Sequence, residues 1–434
     1  MVLLKMHKKF FIETFGCQMN VHDSEKIAGV LSKEGYTPVD NPKEADLIVF
    51  NTCSIRQKAE QKFFSELGRM KSLKKRRPEL RIAVAGCIAQ QQGEGIFEKV
   101  PHVDYVFGPQ NIHLLRDVLG SHPPVVMDQD NPSIAEKDLP VQRSEKGRAW
   151  VTIMYGCNNY CTYCIVPYTR GRERSRPSAN ILGEISELAE WGCKEVTLLG
   201  QNVNSYRSDL DFPGILKKID SIEGIERIRF VTSHPRDLSE ELISAIAELE
   251  KVCEHVHLPI QSGSSRVLEL MNRGYSYEEF SRKVEKLREK VPGISLTTDI
   301  IAGFPGETLS DHEQTVKALN EIEFDGIFAF KFSQRPGTAA ASMEGQLDEK
   351  IKAERLLEIL KVQDIITLNI NNKIMNSFLE VFVEGFNESG NPMLTGRTRT
   401  NKIVHFDGEA SLIGKIITVK IEKAHKHSLS GIIT

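Results

Sequence analysis

Three short apolar runs near the start of the chain, KFFIETFGC, ADLIVFNTC and LRIAVAGC, each end on a cysteine: Cys17, Cys53 and Cys87. A fourth run, VDYVFG, has none. The segments between them, such as SEKIAGVLSKEG and QKAEQKFFSELGRMK, carry apolar residues at helical spacing and stop at glycine or a basic group. Apolar strands alternating with helices predict a parallel sheet covered by helices on both faces. The three cysteines then fall at equivalent places, the carboxyl ends of strands, which is where open α/β sheets bind ligands. Cysteines far apart in sequence would meet in space.

A second alternation occupies residues 146–371. Its expected strands are WVTIMYG, EVTLLGQN, RIRFVTS, HVHLPIQS, SLTTDIIAGF and GIFAFKFS, with helical segments such as ANILGEISELAEWG and YEEFSRKVEKLREK between. Six β/α units predict a partial (β/α)6 version of the closed eight-unit barrel, with its working site at the carboxyl ends of the strands. Residues 8–122 would form the first domain, and the proline-rich, polar stretch 123–145 a linker. Residues 372–434 change texture to five short strands with Gly, Asn or Asp turns, which predicts a small barrel of the oligonucleotide-binding kind. The fold class is therefore α/β multidomain with a small C-terminal β-barrel.

The formal net charge is −3 over 434 residues, so any nucleic-acid contact must come from local basic patches. No apolar run approaches the roughly 20 residues that cross a bilayer. The start, MVLLKMHKKFF, reads in the wrong order for a secretory signal. The expectation is a cytoplasmic protein without a membrane partner, and a monomer. Eight cysteines in a reducing compartment then argue for metal or redox chemistry rather than disulfides.

The densest thiol group is GCNNYCTYC, in which Cys157, Cys161 and Cys164 have C-x3-C-x2-C spacing. A structural zinc site wants four protein ligands, and no Cys or His follows at finger spacing. Iron–sulfur clusters also use thiolates, and three thiolates on four irons leave one iron open. This loop resembles the signature of the radical S-adenosylmethionine (SAM) enzymes. The resemblance implies a [4Fe-4S] cluster on Cys157, Cys161 and Cys164 whose open iron chelates SAM, and whose electron cleaves it to a 5′-deoxyadenosyl radical. It also implies SAM contacts from Tyr163, Gln201 (LLGQNVNSY), Gln261 (HLPIQSGS) and Gly303 (TTDIIAGFPGET); Gly303 could equally supply only the backbone freedom of a turn. Cys193 and Cys253 lack such placement and read as structural.

The order of parts resembles the methylthiotransferases: an N-terminal domain with three separated cysteines, a radical SAM core and a C-terminal TRAM domain. FGCQMN, NTCSIRQKAE, AGCIAQ, GCNNYCTYCIVPYTRGRERSR and GRTRTNKIVHF are similar to the tRNA branch, the MiaB type. The resemblance implies a second, auxiliary [4Fe-4S] cluster on Cys17, Cys53 and Cys87. It implies one SAM as methyl donor and another as radical source. The substrate it implies is N6-isopentenyladenosine 3′ of the anticodon in tRNA, methylthiolated at carbon 2. Other branches act on a ribosomal-protein aspartate or a threonylcarbamoyl-adenosine, and an RNA-binding iron–sulfur protein without catalysis is a further alternative. The implied partners are the anticodon stem-loop, an electron donor and a sulfur or cluster donor. Arg170, Arg172, Arg174 and Arg176 beside the cluster loop, with Arg397, Arg399 and Lys402 in the last domain, are the candidate phosphate contacts. The run Lys74, Lys75, Arg76 and Arg77 could extend that track or simply complement a helix end.

Overall fold

The computed structural model describes residues 8–54, 57–120, 125–127, 131, 133–143, 145, 147–387 and 393–434. The N-terminal part runs β1 (Lys9–Thr14), α1 (Gln18–Lys33), β2 (Thr37–Pro38), β3 (Leu47–Thr52), α2 (Gln57–Arg76), β4 (Arg81–Gly86), α3 (Cys87–Gln92), α4 (Gly95–Lys99), β5 (Tyr105–Phe107), α5 (Leu115–Gly120) and β6 (Val125–Val126). Its strands make one parallel sheet in the order β2-β1-β3-β4-β5-β6. Strand β3 shows why the apolar runs lack alternation. Leu47 and Val49 pack on one face with Ile27 and Leu31 of α1, while Ile48 and Phe50 pack on the other with Phe63 and Leu67 of α2.

The described parts of the stretch 125–143, residues 125–127, 131 and 133–143, are strapped onto both neighbours. Val125–Val126 extends the sheet beside β5. Further on, the Gln142 amide donates to the Glu25 carbonyl of α1 (3.0 Å). The half-buried Arg143 pairs with Glu25 (3.2 Å) and with Glu184 (2.6 Å).

The central part continues β7 (Arg148–Thr152), β8 (Met154–Tyr155), α6 (Val166–Arg170), β9 (Arg174–Ser175), α7 (Ser178–Glu190), β10 (Glu195–Leu199), α8 (Phe212–Asp220) and β11 (Arg227–Phe230). After these come α9 (Glu240–Glu248), β12 (His255–His257), α10 (Ser265–Leu270), α11 (Tyr277–Lys290), β13 (Ser295–Ala302), α12 (Leu309–Ile322), β14 (Gly326–Lys331) and α13 (Glu349–Lys373). All six expected strands are present, in two parallel arcs, β11-β10-β7 and β12-β13-β14. A parallel bridge from Ile228 to Val252 joins the arcs. The outer helices start where capping chemistry dictates: Ser239 caps α9, and the pairs Ser276/Glu279 and Thr308/Asp311 form capping boxes on α11 and α12.

The C-terminal strands β15 (Phe378–Phe386), β16 (Leu394–Thr398), β17 (Ile403–Phe406), β18 (Ile416–Ala424) and β19 (Leu429–Ile433) close into a five-stranded barrel, β15-β16-β17-β19-β18, around Val381, Leu394, Phe406 and Val419. This barrel docks on the amino ends of the core strands. At the start of β11, Arg227 reaches Glu380 (2.7 Å) and the Arg397 carbonyl (2.9 Å). At the start of β7, Arg148 pairs with Glu384. Among the described residues no helix is long and apolar enough to cross a membrane.

The docking corrects one expectation about the basic residues. Arg397 pairs with Glu384 (3.1 Å), Arg399 with Glu254 (2.7 Å) and Lys402 with Asp325 (2.6 Å). Arg399 and Lys402 are paired across the domain boundary, at the end of the core opposite the cysteine loop, and Arg397 is paired inside the small barrel, so the three serve docking and the barrel itself rather than a free phosphate track. Part of the KKRR run is likewise internal: Lys74 pairs with Asp104 (2.7 Å) and Arg77 with Asp46 (3.0 Å).

Candidate active site

The sheet order brings the first thiol triplet together. Cys17 precedes α1 after β1, Cys53 follows β3, and Cys87 opens α3 after β4; β1, β3 and β4 are adjacent strands. Local backbone makes this approach possible. Gly16 has φ +123°, and a Cβ there would lie 2.9 Å from Cys53 Sγ. Gly86 has φ +90°, and a Cβ there would lie 2.6 Å from Asn51 Oδ1. Both conformations favour glycine. A hydrogen bond with Cys53 is the main reason the Cys17 thiol is pulled down to about 6, with further help from the Arg170 guanidinium against the opposing effect of burial.

The second triplet lies in the loop 156–173, closed at its base by the antiparallel pair β8–β9. The loop is pinned from outside: the Thr162 amide and hydroxyl donate to the carbonyls of Met271 (3.1 Å) and Leu270 (3.0 Å), and the Thr162 carbonyl accepts from Ala340 (2.8 Å). Burial pushes the Cys157 thiol up to about 11 and the Cys164 thiol up to about 12. Thiols so desolvated must lose their protons to a metal, and they gain charge compensation only when one binds.

The elements that carry the two triplets are neighbours. Helix α3, which begins with Cys87, packs on α6, which follows Cys164. A cavity of about 290 Å³ opens over the loop, lined by Cys157, Cys161, Cys164, Tyr163, Gln201 and Gln261, and also by Arg335. Arg335 in turn pairs with Glu60 of α2 (3.6 Å) and has Cys53 as a charge partner. Among the described residues no three His, Cys, Asp or Glu side chains stand close enough to cage one metal ion. Thiolates that each bind a different iron of a cuboidal cluster stand further apart. Two thiol triplets, each without a fourth protein ligand, supply the donor set that a four-iron cluster with one open iron takes.

Of the expected SAM contacts, Tyr163, Gln201 and Gln261 line the cavity and Gly303 does not. Gly303 ends β13 at φ +74°, donates its amide to Glu307 (3.1 Å) and backs onto Lys352, so its part is the turn. The structure adds residues that sequence reasoning missed. Arg273 is buried and donates to Cys161 Sγ (3.3 Å), the Tyr163 hydroxyl (3.3 Å) and the Pro259 carbonyl (2.7 Å). His234, Asp299 and Thr232 also line the cavity. Thr232 and Gln261 both hold positive φ, at +69° and +74°, an unfavourable conformation for side chains of this kind that tends to mark ligand sites. Burial, then the nearby Arg273, Arg236 and Lys283, hold His234 down to about 2, so its imidazole is neutral. The available signal for Thr232 and His234 was position, since RIRFVTSHP places them just past a strand end, while Arg273 and mid-strand Asp299 gave no such signal.

The arginines after the loop divide. Arg170 and Arg176 are buried. Arg170 pairs with Asp23 (2.8 Å), and Arg176 pairs with Glu184 (2.7 Å) and Asp138 (3.0 Å). They tie α1, the strap and the core together, which corrects the expectation that both bind phosphate. Arg172 is exposed and Arg174 half-buried, next to the loop.

Comparison with known proteins agrees with this architecture. Residues 9–108 match the family described as Uncharacterized protein family UPF0004, residues 151–319 the Radical SAM superfamily, and residues 376–434 the TRAM domain. The tRNA-2-methylthio-N(6)-dimethylallyladenosine synthase of Thermodesulfovibrio yellowstonii is 55% identical over 425 residues, covering 97% of each chain. The chain belongs to the tRNA-2-methylthio-N(6)-dimethylallyladenosine synthase family. The synthase of Thermoanaerobacter pseudethanolicus is 49% identical, covering 97% of this chain and 92% of its own. Among solved structures, the radical SAM methyltransferase TsrM from Kitasatospora setae, with cobalamin and a [4Fe-4S] cluster bound, shares the fold with a TM-score of 0.60. It is 16% identical and covers 77% of each chain. As a member of this family the chain is a radical SAM enzyme with [4Fe-4S] and SAM as its cofactors.

Proposed function

We propose that this synthase methylthiolates carbon 2 of N6-isopentenyladenosine, 3′ of the anticodon in tRNA, with Cys157, Cys161 and Cys164 holding the radical SAM cluster and Cys17, Cys53 and Cys87 the auxiliary one. The observation that carries it is the convergence of two thiol triplets on neighbouring elements: α3, which Cys87 opens, packs against α6, which follows Cys164, and Arg335, paired with Glu60 of the N-terminal domain, lines the cavity over the second triplet. When bound, the loop cluster supplies the electron that cleaves SAM, and the auxiliary cluster supplies the sulfur. The carbon 2 hydrogen is not acidic, so an acid–base route has little purchase there.

The chain's own residues supply binding and exclusion of water. Tyr163, Gln201 and Gln261 line the space for SAM, and Arg273 holds Cys161 and Tyr163 together. Neutral His234 neither repels the sulfonium nor adds a competing proton source. The substrate base must leave its stack to enter a cavity of this depth, which a single-stranded anticodon loop allows. Arg172 and Arg174 stand where the RNA backbone would pass. A one-electron reductant and a sulfur source come from outside the chain, and the protein works in the cytoplasm.

The test is reconstitution with iron and sulfide, reduction, and incubation with SAM and isopentenylated tRNA. The expected products are 5′-deoxyadenosine and 2-methylthio-N6-isopentenyladenosine by mass spectrometry. Fully loaded clusters that yield neither product would refute the reading. 5′-Deoxyadenosine formed without any change in that nucleoside would leave the enzyme but remove the substrate.

A further inference from the structure

Two arginines of the core lie near the cysteine triplet of the N-terminal domain: Arg170 through Asn20, which also takes the Cys17 thiol, and Arg335 through its ion pair with Glu60 of α2 (3.6 Å). Arg170, at the end of α6, is buried and donates through Nη2 to Asn20 Oδ1 (3.0 Å) and Asp23 Oδ2 (2.8 Å). The same Asn20 oxygen accepts from Cys17 Sγ (3.7 Å). Cys87 and Cys17 are both charge partners of this guanidinium. Its backbone is fixed as well, since Gln110 of the N-terminal domain donates to the Arg170 carbonyl (2.6 Å). Arg335 comes from beyond β14, with Glu60 and Cys53 as its charge partners.

A guanidinium cannot shed its proton when buried, unlike a lysine. A buried cation is tolerated only with counter-charge. Arg170 has a single carboxylate in its ion pair, Asp23, and the Asn20 oxygen it also donates to is shared with the Cys17 thiol. A cluster held by three thiolates carries net negative charge, and each electron it accepts adds one more unit. Cations fixed nearby stabilise the reduced form more than the oxidised one.

We infer that Arg170 and Arg335 are positioning residues for the auxiliary cluster, two core-domain cations set against its thiolates that make its one-electron reduction easier. This rests on the cluster assignment proposed above. It also means that the N-terminal domain does not carry a self-sufficient cluster site: docking of the core completes the charge environment. A plain domain-docking salt bridge would hold the two domains together without moving the potential.

The test uses the full chain with Cys157, Cys161 and Cys164 all changed to Ala, so that only the auxiliary cluster assembles. Arg170→Gln, Arg170→Lys and Arg335→Gln are compared by iron and sulfide content and by a redox titration followed by electron paramagnetic resonance. Each Gln change is expected to disfavour reduction at least tenfold, a shift of about 59 mV for a one-electron couple. Arg170→Lys should recover most of that shift. Fully loaded Gln variants whose potentials match the background would overturn the inference. Should Arg170→Gln fail to load, Arg335→Gln and Arg170→Lys decide: an unmoved potential at Arg335 together with a moved one in the charge-preserving Lys variant would refute it. A background that assembles no cluster at all would instead sink the cluster assignment, and this inference with it.

Discussion

Changing Glu195 to Ala tests whether the C-terminal barrel is held by buried charge. Glu195 opens β10 and is 3% exposed. Its carboxylate lies 2.9 Å from Arg229 Nε and 3.6 Å from Arg227. The Arg229 contact is an ion pair without hydrogen-bond alignment. Arg227 is fully buried, and Arg229 donates onward to the Thr398 (2.6 Å) and Arg399 (3.0 Å) carbonyls of the small barrel. Removing one partner of a buried ion pair costs about 3–5 kcal/mol, because the other charge is left uncompensated. The lower end applies here, since Glu380 and three carbonyls still serve the two arginines. At roughly 2–4 °C per kcal/mol for a cooperative unit of this size, the core-plus-barrel transition should fall by about 6–12 °C. Calorimetry of the full chain reads it. The double variant Glu195→Ala/Arg229→Ala should be less destabilised than the sum of its parts. A shift below about 2 °C for Glu195→Ala, or strict additivity in the cycle, would refute the claim that this carboxylate anchors the docking.

Four further outcomes are expected. Gly86→Ala puts a Cβ against Asn51 at φ +90°; iron per chain should drop by about half, while reductive cleavage of SAM on the loop cluster persists. Arg273→Ala removes the donor to Cys161 and Tyr163 and should abolish SAM cleavage while iron on Cys17, Cys53 and Cys87 is retained. His234 is held down to about 2, chiefly by burial, so the unfolded chain binds a proton below about pH 6.5 that the folded chain refuses. Stability from this group is complete above that pH and is lost as pH falls, by at most about 1.4 kcal/mol per unit; His234→Gln should flatten the decline in melting temperature between pH 6.5 and 5. Arg172→Ala should reduce the slope of log affinity for tRNA against log salt by about 0.7, whereas Lys402→Ala should leave the slope alone and lower the melting temperature.

What the sequence revealed, and what it hid, follows from the range of the forces involved. Strands such as LIVFNT and EVTLLG were legible because burial on both faces leaves an unbroken apolar run, and capping residues mark the helices locally. The cysteines were legible because strand ends in a parallel sheet fall on one edge whatever the loops do. The arginines were not, because a basic run looks the same whether it faces solvent or a distant carboxylate. Arg397 and Arg399 read as a surface motif until Glu384 and Glu254 were found opposite them. Glu195 and Arg227 are register partners on adjacent strands, so that pair could be inferred only once strand order was known. The same holds at the catalytic end. TRGRERSR looks like a single basic stripe, but folding sends Arg170 and Arg176 inward to Asp23 and Glu184 and leaves Arg172 exposed. The run thus does two jobs: Arg170, at the end of α6, and Arg176, past β9, lock α1, the strap and the core together, while Arg172, left exposed in the loop between them, can meet RNA. Substituting the whole run at once would therefore confound loss of domain docking with loss of RNA binding, and only single changes can separate the two.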